Sequence, residues 1–267
     1  MRSVSVPAFL LLAGAIAASG QTNPPAVTGV TNTAGSPSVQ AVAPGSLVSI
    51  FGTNLASTMA SSDTVPLSVS LSGVSVTFNN IPAPIQFVSG GQINLQVPWG
   101  VPPSDSNSGP VQVVVTSSGA ASAPAGIQVV ASAPAIFNIG GQAIAINADG
   151  SLAAPAGSIP GIATRPATIG DPNGLVILAT GLGAVDTSLG DGANSMDQQR
   201  NTLVKPTVMI GGVAAQLVFS GLSPQFVGID QINVVIPSGT PTGNAVPLQI
   251  QVNGTVTSNQ VWIAVSQ

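Results

Sequence analysis

The chain has 267 residues, of which 44% are hydrophobic and only 4% charged, with no cysteine, histidine or tyrosine. Four basic residues stand against eight acidic ones for a formal net charge of −4. This excludes a basic footprint for nucleic acid, a disulfide framework, and the usual His and Cys ligands of zinc, copper or haem.

The first twenty residues read as a secretory signal peptide. Arg2 supplies the positive start, Pro7 to Ala18 a short apolar stretch, and Ala18-Ser19-Gly20 a small-residue cleavage site. The apolar stretch falls short of the roughly 20 residues that span a bilayer, and no later segment qualifies. Cleavage removes Arg2 and leaves three basic residues against eight aspartates, a formal charge of −5. The expected location is therefore secreted or cell-surface. Residues 21–37, rich in Thr, Asn, Pro and Gly, read as a leader with room for one early strand.

Beta-branched residues set among 31 Gly and 23 Pro predict short strands joined by tight turns. A first unit, 38–133, carries predicted strands at Leu47–Phe51, Val74–Phe78, Ile85–Val88, Ile93–Val97, Val111–Thr116 and Ile127–Val130. The junction falls at Ser132-Ala133-Pro134, short enough to restrict the angle between units. A second unit, 134–267, opens on Ala143–Asn147. It continues through Leu175–Thr180, Thr207–Ile210, Leu217–Phe219, Ile232–Ile236, Val246–Val252 and Val261–Val265.

The pairs Asn79-Asn80 and Gly211-Gly212 stand between apolar residues and Asn253-Gly254 between Val252 and Thr255, and all three tolerate the positive φ of a type I′ hairpin. The two units also repeat one another. FVSGGQINLQVP at 87–98 returns as FSGLSPQFVGIDQINVVIP at 219–237, each with a Phe, a loop, and Gln-Ile-Asn opening a strand. Strand number, spacing and turns predict an all-β fold of two tandem immunoglobulin-like sandwiches.

Ser49-Ile50-Phe51-Gly52-Thr53-Asn54-Leu55 resembles the early strand and turn of the immunoglobulin-like IPT/TIG domains. Val97-Pro98-Trp99-Gly100 and Val111–Thr116 match that family's Val-Pro-x-Gly and following strand. The whole pattern resembles an uncharacterised tandem domain found at the C-termini of secreted proteins from acidobacteria. Its marks are Pro44-Gly45-Ser46, Gln92–Trp99, Ala133–Phe137, Ala179–Gly183 and Gln231–Val234. The resemblance implies an extracellular pair of sandwiches and carries no catalytic residues.

The residues themselves offer little chemistry. There is no Ser-x-x-Lys, no Gly-x-Ser-x-Gly elbow, and no histidine base. Asp186-Thr187-Ser188 echoes an aspartic-protease triplet, but a dyad needs a matched second copy and none exists. Asp230 precedes the second Gln-Ile-Asn where the first copy has Gly91, and it reads as an isolated loop aspartate. The loop 186–197 gathers Asp186, Asp191, Asn194 and Asp197 around glycines, the oxygen ligands of a candidate calcium site without EF-hand spacing. Calcium is the one cofactor this suggests; a solvated loop is the simpler reading.

The repeated amides Gln92, Asn94, Gln231 and Asn233 read either as a polar stripe for a sugar or partner strand, or as pins for nearby loop backbone. Trp99, after Pro98, is expected to plug one end of the first sandwich. In Val261–Val265 the odd positions look buried, so Trp262 faces outward or into the contact between units. The expected function is that of a non-catalytic surface, spacer or adhesion module, not an enzyme. The alternatives are a carbohydrate-binding module or a calcium-stabilised structural domain. The partners left open are a cell-envelope protein, a polysaccharide, or a second copy, since so few charges keep molecules apart.

Overall fold

The structure, a computed structural model, describes residues 23–35, 41–104 and 109–267; the candidate signal segment lies outside them. The described residues form strands and no helix. Seven principal strands make the first unit: β1 (Ala26–Asn32), β2 (Leu47–Thr53), β3 (Val74–Phe78), β4 (Ile85–Val88), β5 (Gln92–Gln96), β6 (Val111–Ser117) and β7 (Ala125–Val129). Seven more make the second: β8 (Ala145–Asn147), β9 (Leu175–Thr180), β10 (Thr207–Ile210), β11 (Gln216–Leu222), β12 (Asp230–Val235), β13 (Gly243–Val252) and β14 (Val261–Ser266).

The repeat seen in the sequence is a repeat of topology. In the first unit one sheet runs β1-β2-β5-β4 and the facing sheet β7-β6-β3. In the second the corresponding orders are β8-β9-β12-β11 and β14-β13-β10. Each is an immunoglobulin-like sandwich, with short edge strands added at both rims. The stretch read as a leader therefore supplies β1, antiparallel to β2 as β8 is to β9. Even the irregularities recur. A register shift precedes Phe87 in β4 and Phe219 in β11, and each Phe lies opposite the Asn of its Gln-Ile-Asn.

Alternation explains the layers, because successive side chains point to opposite faces. Val48, Ile50, Ile93, Leu95, Val76 and Phe78 fill the first core. Ile177, Ile232, Val234, Leu248, Ile250 and Ile263 fill the second. The two cores are separate clusters of buried residues. All three predicted hairpin turns carry the expected left-handed backbone, at Asn79-Asn80, Gly211-Gly212 and Asn253-Gly254. No helix among the described residues is long and apolar enough to cross a membrane.

Candidate functional site

The repeated amides take the same local geometry twice. Gln92 Nε2 donates to Asn94 Oδ1 at 2.7 Å, and Gln231 Nε2 donates to Asn233 Oδ1 at 2.9 Å. Residues two apart share a face of a strand, so each pair is a short ladder on the outer side of its sheet. In the first copy Asn94 also accepts from Ser49 Oγ, itself within 3.0 Å of Thr33 Oγ1. In the second copy Gln231 and Asn233 line a groove with Met196, Phe219 and Pro224.

The next residue on the first ladder, Gln96, was not singled out from sequence and proves the most committed. It is 1% exposed, accepts from Gly192 N at 2.7 Å, and donates to Gly45 O. Gly192 belongs to the second unit. The signal was present in the alternation Gln92, Asn94, Gln96, whose third place is Val235 in the other copy.

Gln96 is one point of a clamp between the units. Gly192 O accepts from Leu67 N at 2.8 Å, and Asp191 Oδ1 accepts from Trp99 N at 2.8 Å. Leu47 N donates to both Thr180 Oγ1 and Gly228 O. At the covalent junction Ala133 N donates to Gly181 O, while Ala133 O accepts from Asn32 Nδ2. Trp99 packs its indole over Gly45, where no side chain would fit, so the expected plug lies beside the joint.

The four candidate calcium ligands are spent on separate partners. Asp186 accepts from Asn201 N and Nδ2 at 3.1 and 2.7 Å, and Asp191 caps Trp99. Asn194 Nδ2 donates to Gln225 O. Asp197 takes both terminal nitrogens of buried Arg200, at 2.6 and 3.0 Å. The Arg200 hydrogen bonds hold the Asp197 carboxyl down at about 2, and those from Asn201 hold Asp186 below its ordinary value. Among the described residues no three acidic side chains converge on one point. With these side chains tied to separate partners, added calcium is expected to leave the melting temperature unchanged; a calcium-dependent rise that Asp191→Ala abolishes would support the metal reading.

Asp230 corrects the sequence reading of a loop aspartate. It opens β12, is 5% exposed, and accepts from Leu182 N at 2.9 Å and from Gly181 N. Burial outweighs both hydrogen bonds and pushes its carboxyl up to about 7. A raised carboxyl is a common mark of a catalytic acid. Here the group faces backbone N–H groups and ties down the turn that meets Ala133, so its place is in the joint.

Trp262 lies on the far side of the second sandwich from Gln231 and Asn233. The two ladders and the tryptophan are thus three separate places. As its alternation predicts, Trp262 points outward and is 39% exposed. Its six-membered ring rests against Gly141, where a Cβ would stand 2.9 Å from the ring. Gln142 Nε2 holds the strand by donating to Trp262 O at 2.7 Å. Beside Trp262 stands Pro247, its partner on β13, and further along come Gln249 beside Met209 and Gln251 beside Thr207. Gln260 completes a shallow depression with Met209, Pro247, Gln249 and Gln251. The outward positions of this face carry no charged residue.

Comparisons with known proteins agree with the fold of the first unit. An IPT/TIG domain is found at residues 32–129. No curated protein matches the chain. Among solved structures it is similar to the surface glycan-binding protein PbSGBP-B of Prevotella bryantii, at 12% identity and a TM-score of 0.28 over 90% of this chain and 42% of that one. It is similar also to SGBP-B from a complex xyloglucan utilization locus in Bacteroides uniformis, at 15% identity and a TM-score of 0.26, covering 90% and 49% of the two chains. A third likeness is to the I9-I11 tandem of titin, at 10% identity and a TM-score of 0.21, covering 90% and 65%. The chain spans less than half the length of either glycan-binding protein.

Proposed function

We propose that the chain is a secreted, non-catalytic surface module that holds carbohydrate on the outer face of β10, β13 and β14. The observation that carries this reading is the Trp262 face, where an exposed indole beside Pro247 ends an uncharged strip that continues through Met209, Gln249, Gln251 and Thr207. Indoles supply large, flat contact area for the apolar side of a sugar ring, and amides match its hydroxyls. The IPT/TIG domain at 32–129 supports a module in place of an enzyme. The signal-like segment at 1–20 supports export.

The first unit, 38–133 with β1 added, then acts as a fixed arm for the second, 134–267. The clamp through Gln96, Trp99 and Asp191 supports that role. Resemblance to the secreted acidobacterial tandem domains supports reading the two units as one module.

The test is retention on insoluble neutral polysaccharide, together with thermal melting. Trp262→Ala is expected to weaken binding by about tenfold or more, on the order of 1.4 kcal/mol, at an unchanged melting temperature. A variant retained as well as the parent would move the site off this face, and a parent that is not retained at all would leave only the spacer reading.

A further inference from the structure

We infer that the ligand of the Trp262 face is an uncharged, linear oligosaccharide longer than a disaccharide, laid along β13. This rests on the glycan-binding reading above and adds the class and length of the chain.

The length follows from the strand. Pro247, Gln249 and Gln251 are outward residues at intervals of two along β13. Three rows cross it there: Trp262 beside Pro247, Met209 beside Gln249, and Thr207 with Thr257 beside Gln251. Each interval of two residues advances about 6.8 Å, so the rows together span about 14 Å, a strip too long for one ring to fill. Trp262 marks one end of the strip and Gln251 the other.

The class follows from what the strip offers. The side chains of Gln249, Gln251 and Gln260 form no hydrogen bond with the described residues, unlike Gln142, whose Nε2 donates to Ala153 O and Trp262 O. Each free amide offers both a donor and an acceptor, the pairing that neighbouring hydroxyls present in return. Among the described residues no cation stands on this face for a uronate or sulfate. Arg165 pairs with Asp149 and Arg200 with Asp197. Lys205 lines a different groove, with Leu217, Val218 and Phe219. An acidic chain would meet a net negative protein with nothing to neutralise it. A protein partner would call for a larger apolar centre than one indole, one proline and one methionine provide.

The experiment is calorimetric titration of the chain from residue 21 onward with dimers and hexamers of neutral gluco-, xylo- and manno-oligosaccharides. Hexagalacturonate serves as the acidic counterpart. At least one neutral hexamer is expected to bind about tenfold or more tighter than its dimer, with no heat from hexagalacturonate. Gln251→Ala is expected to erase the hexamer's advantage and leave dimer binding unchanged, whereas Trp262→Ala weakens both. Equal affinity for dimer and hexamer, or equal binding of the acidic chain, would overturn this inference while leaving carbohydrate binding in place. Silence toward every sugar would overturn both. Melting curves of each variant separate lost binding from lost fold.

Discussion

Between pH 4 and pH 7 the protein should lose stability as the pH rises, and Asp230→Asn should abolish the loss. The Asp230 carboxyl stands at about 7 in the fold against an ordinary 3.8. Between those values the unfolded chain gives up its proton and the folded chain keeps it. Folding therefore binds a proton across this window, and stability falls with pH until the folded group also ionises. At about 1.4 kcal/mol for each unit of difference, the decline amounts to about 4 kcal/mol. Asparagine keeps one acceptor for Leu182 N–H and loses the other, a cost of about 1–2 kcal/mol. The variant should thus be about 2 kcal/mol more stable than its parent at pH 8.

Below pH 4 the sign reverses. Asp186 and Asp197 are held below their ordinary values by Asn201 and Arg200, and Asp149 by Ser151 and Arg165. Their contribution is present above the ordinary carboxylate range and fades as they protonate, weakly, since these groups are open to solvent. Chemical denaturation at several pH values checks the whole profile. A parent whose stability is flat or rising from pH 4 to pH 7 would show that Asp230 is not held neutral.

The second large effect concerns the clamp. Gly192 has φ +76°, and a Cβ there would stand 2.6 Å from Leu67 O and 3.0 Å from Leu67 N. Both atoms are backbone and cannot step aside. Gly192→Ala should break the hydrogen bonds to Leu67 and Gln96 and add the strain of a left-handed alanine. Two hydrogen bonds at about 1 kcal/mol each and about 1–2 kcal/mol of strain give a loss of about 3–4 kcal/mol in coupling. The parent should melt in one calorimetric transition. The variant should melt in two, with each sandwich keeping its own core and the units tumbling more independently in NMR relaxation. A single transition at the parent temperature would show that the units are not held through this loop.

What the sequence revealed and what it hid divide along one physical line. Strands, hairpins and cores depend on period-2 patterning and on turn residues with positive φ, both local properties, and these were legible from Leu47 to Val265. The outward side of Trp262 followed from the same alternation. The docking of Asp191 and Gly192 did not, because their partners, Trp99 and Leu67, lie about a hundred residues away across a joint. The same holds for Asp230. Its neighbour Gly181 is distant in sequence, and nothing beside Asp230 in the chain announces a buried carboxyl. Gln96 shows the intermediate case, visible as an alternating amide but given its role only by Gly192.

The central claim, carbohydrate on the Trp262 face, is tested most directly by the two indole N–H signals of the only two tryptophans. Trp99 Nε1 is buried beside the joint, whereas Trp262 lies in the open. In a titration with the best-binding neutral hexasaccharide, the Trp262 indole and the side-chain amides of Gln249, Gln251 and Gln260 should shift together and saturate, while the Trp99 indole stays in place. Shifts confined to Gln231, Asn233 and their groove, or to Trp99, would contradict this assignment and move the site to the other side of the molecule.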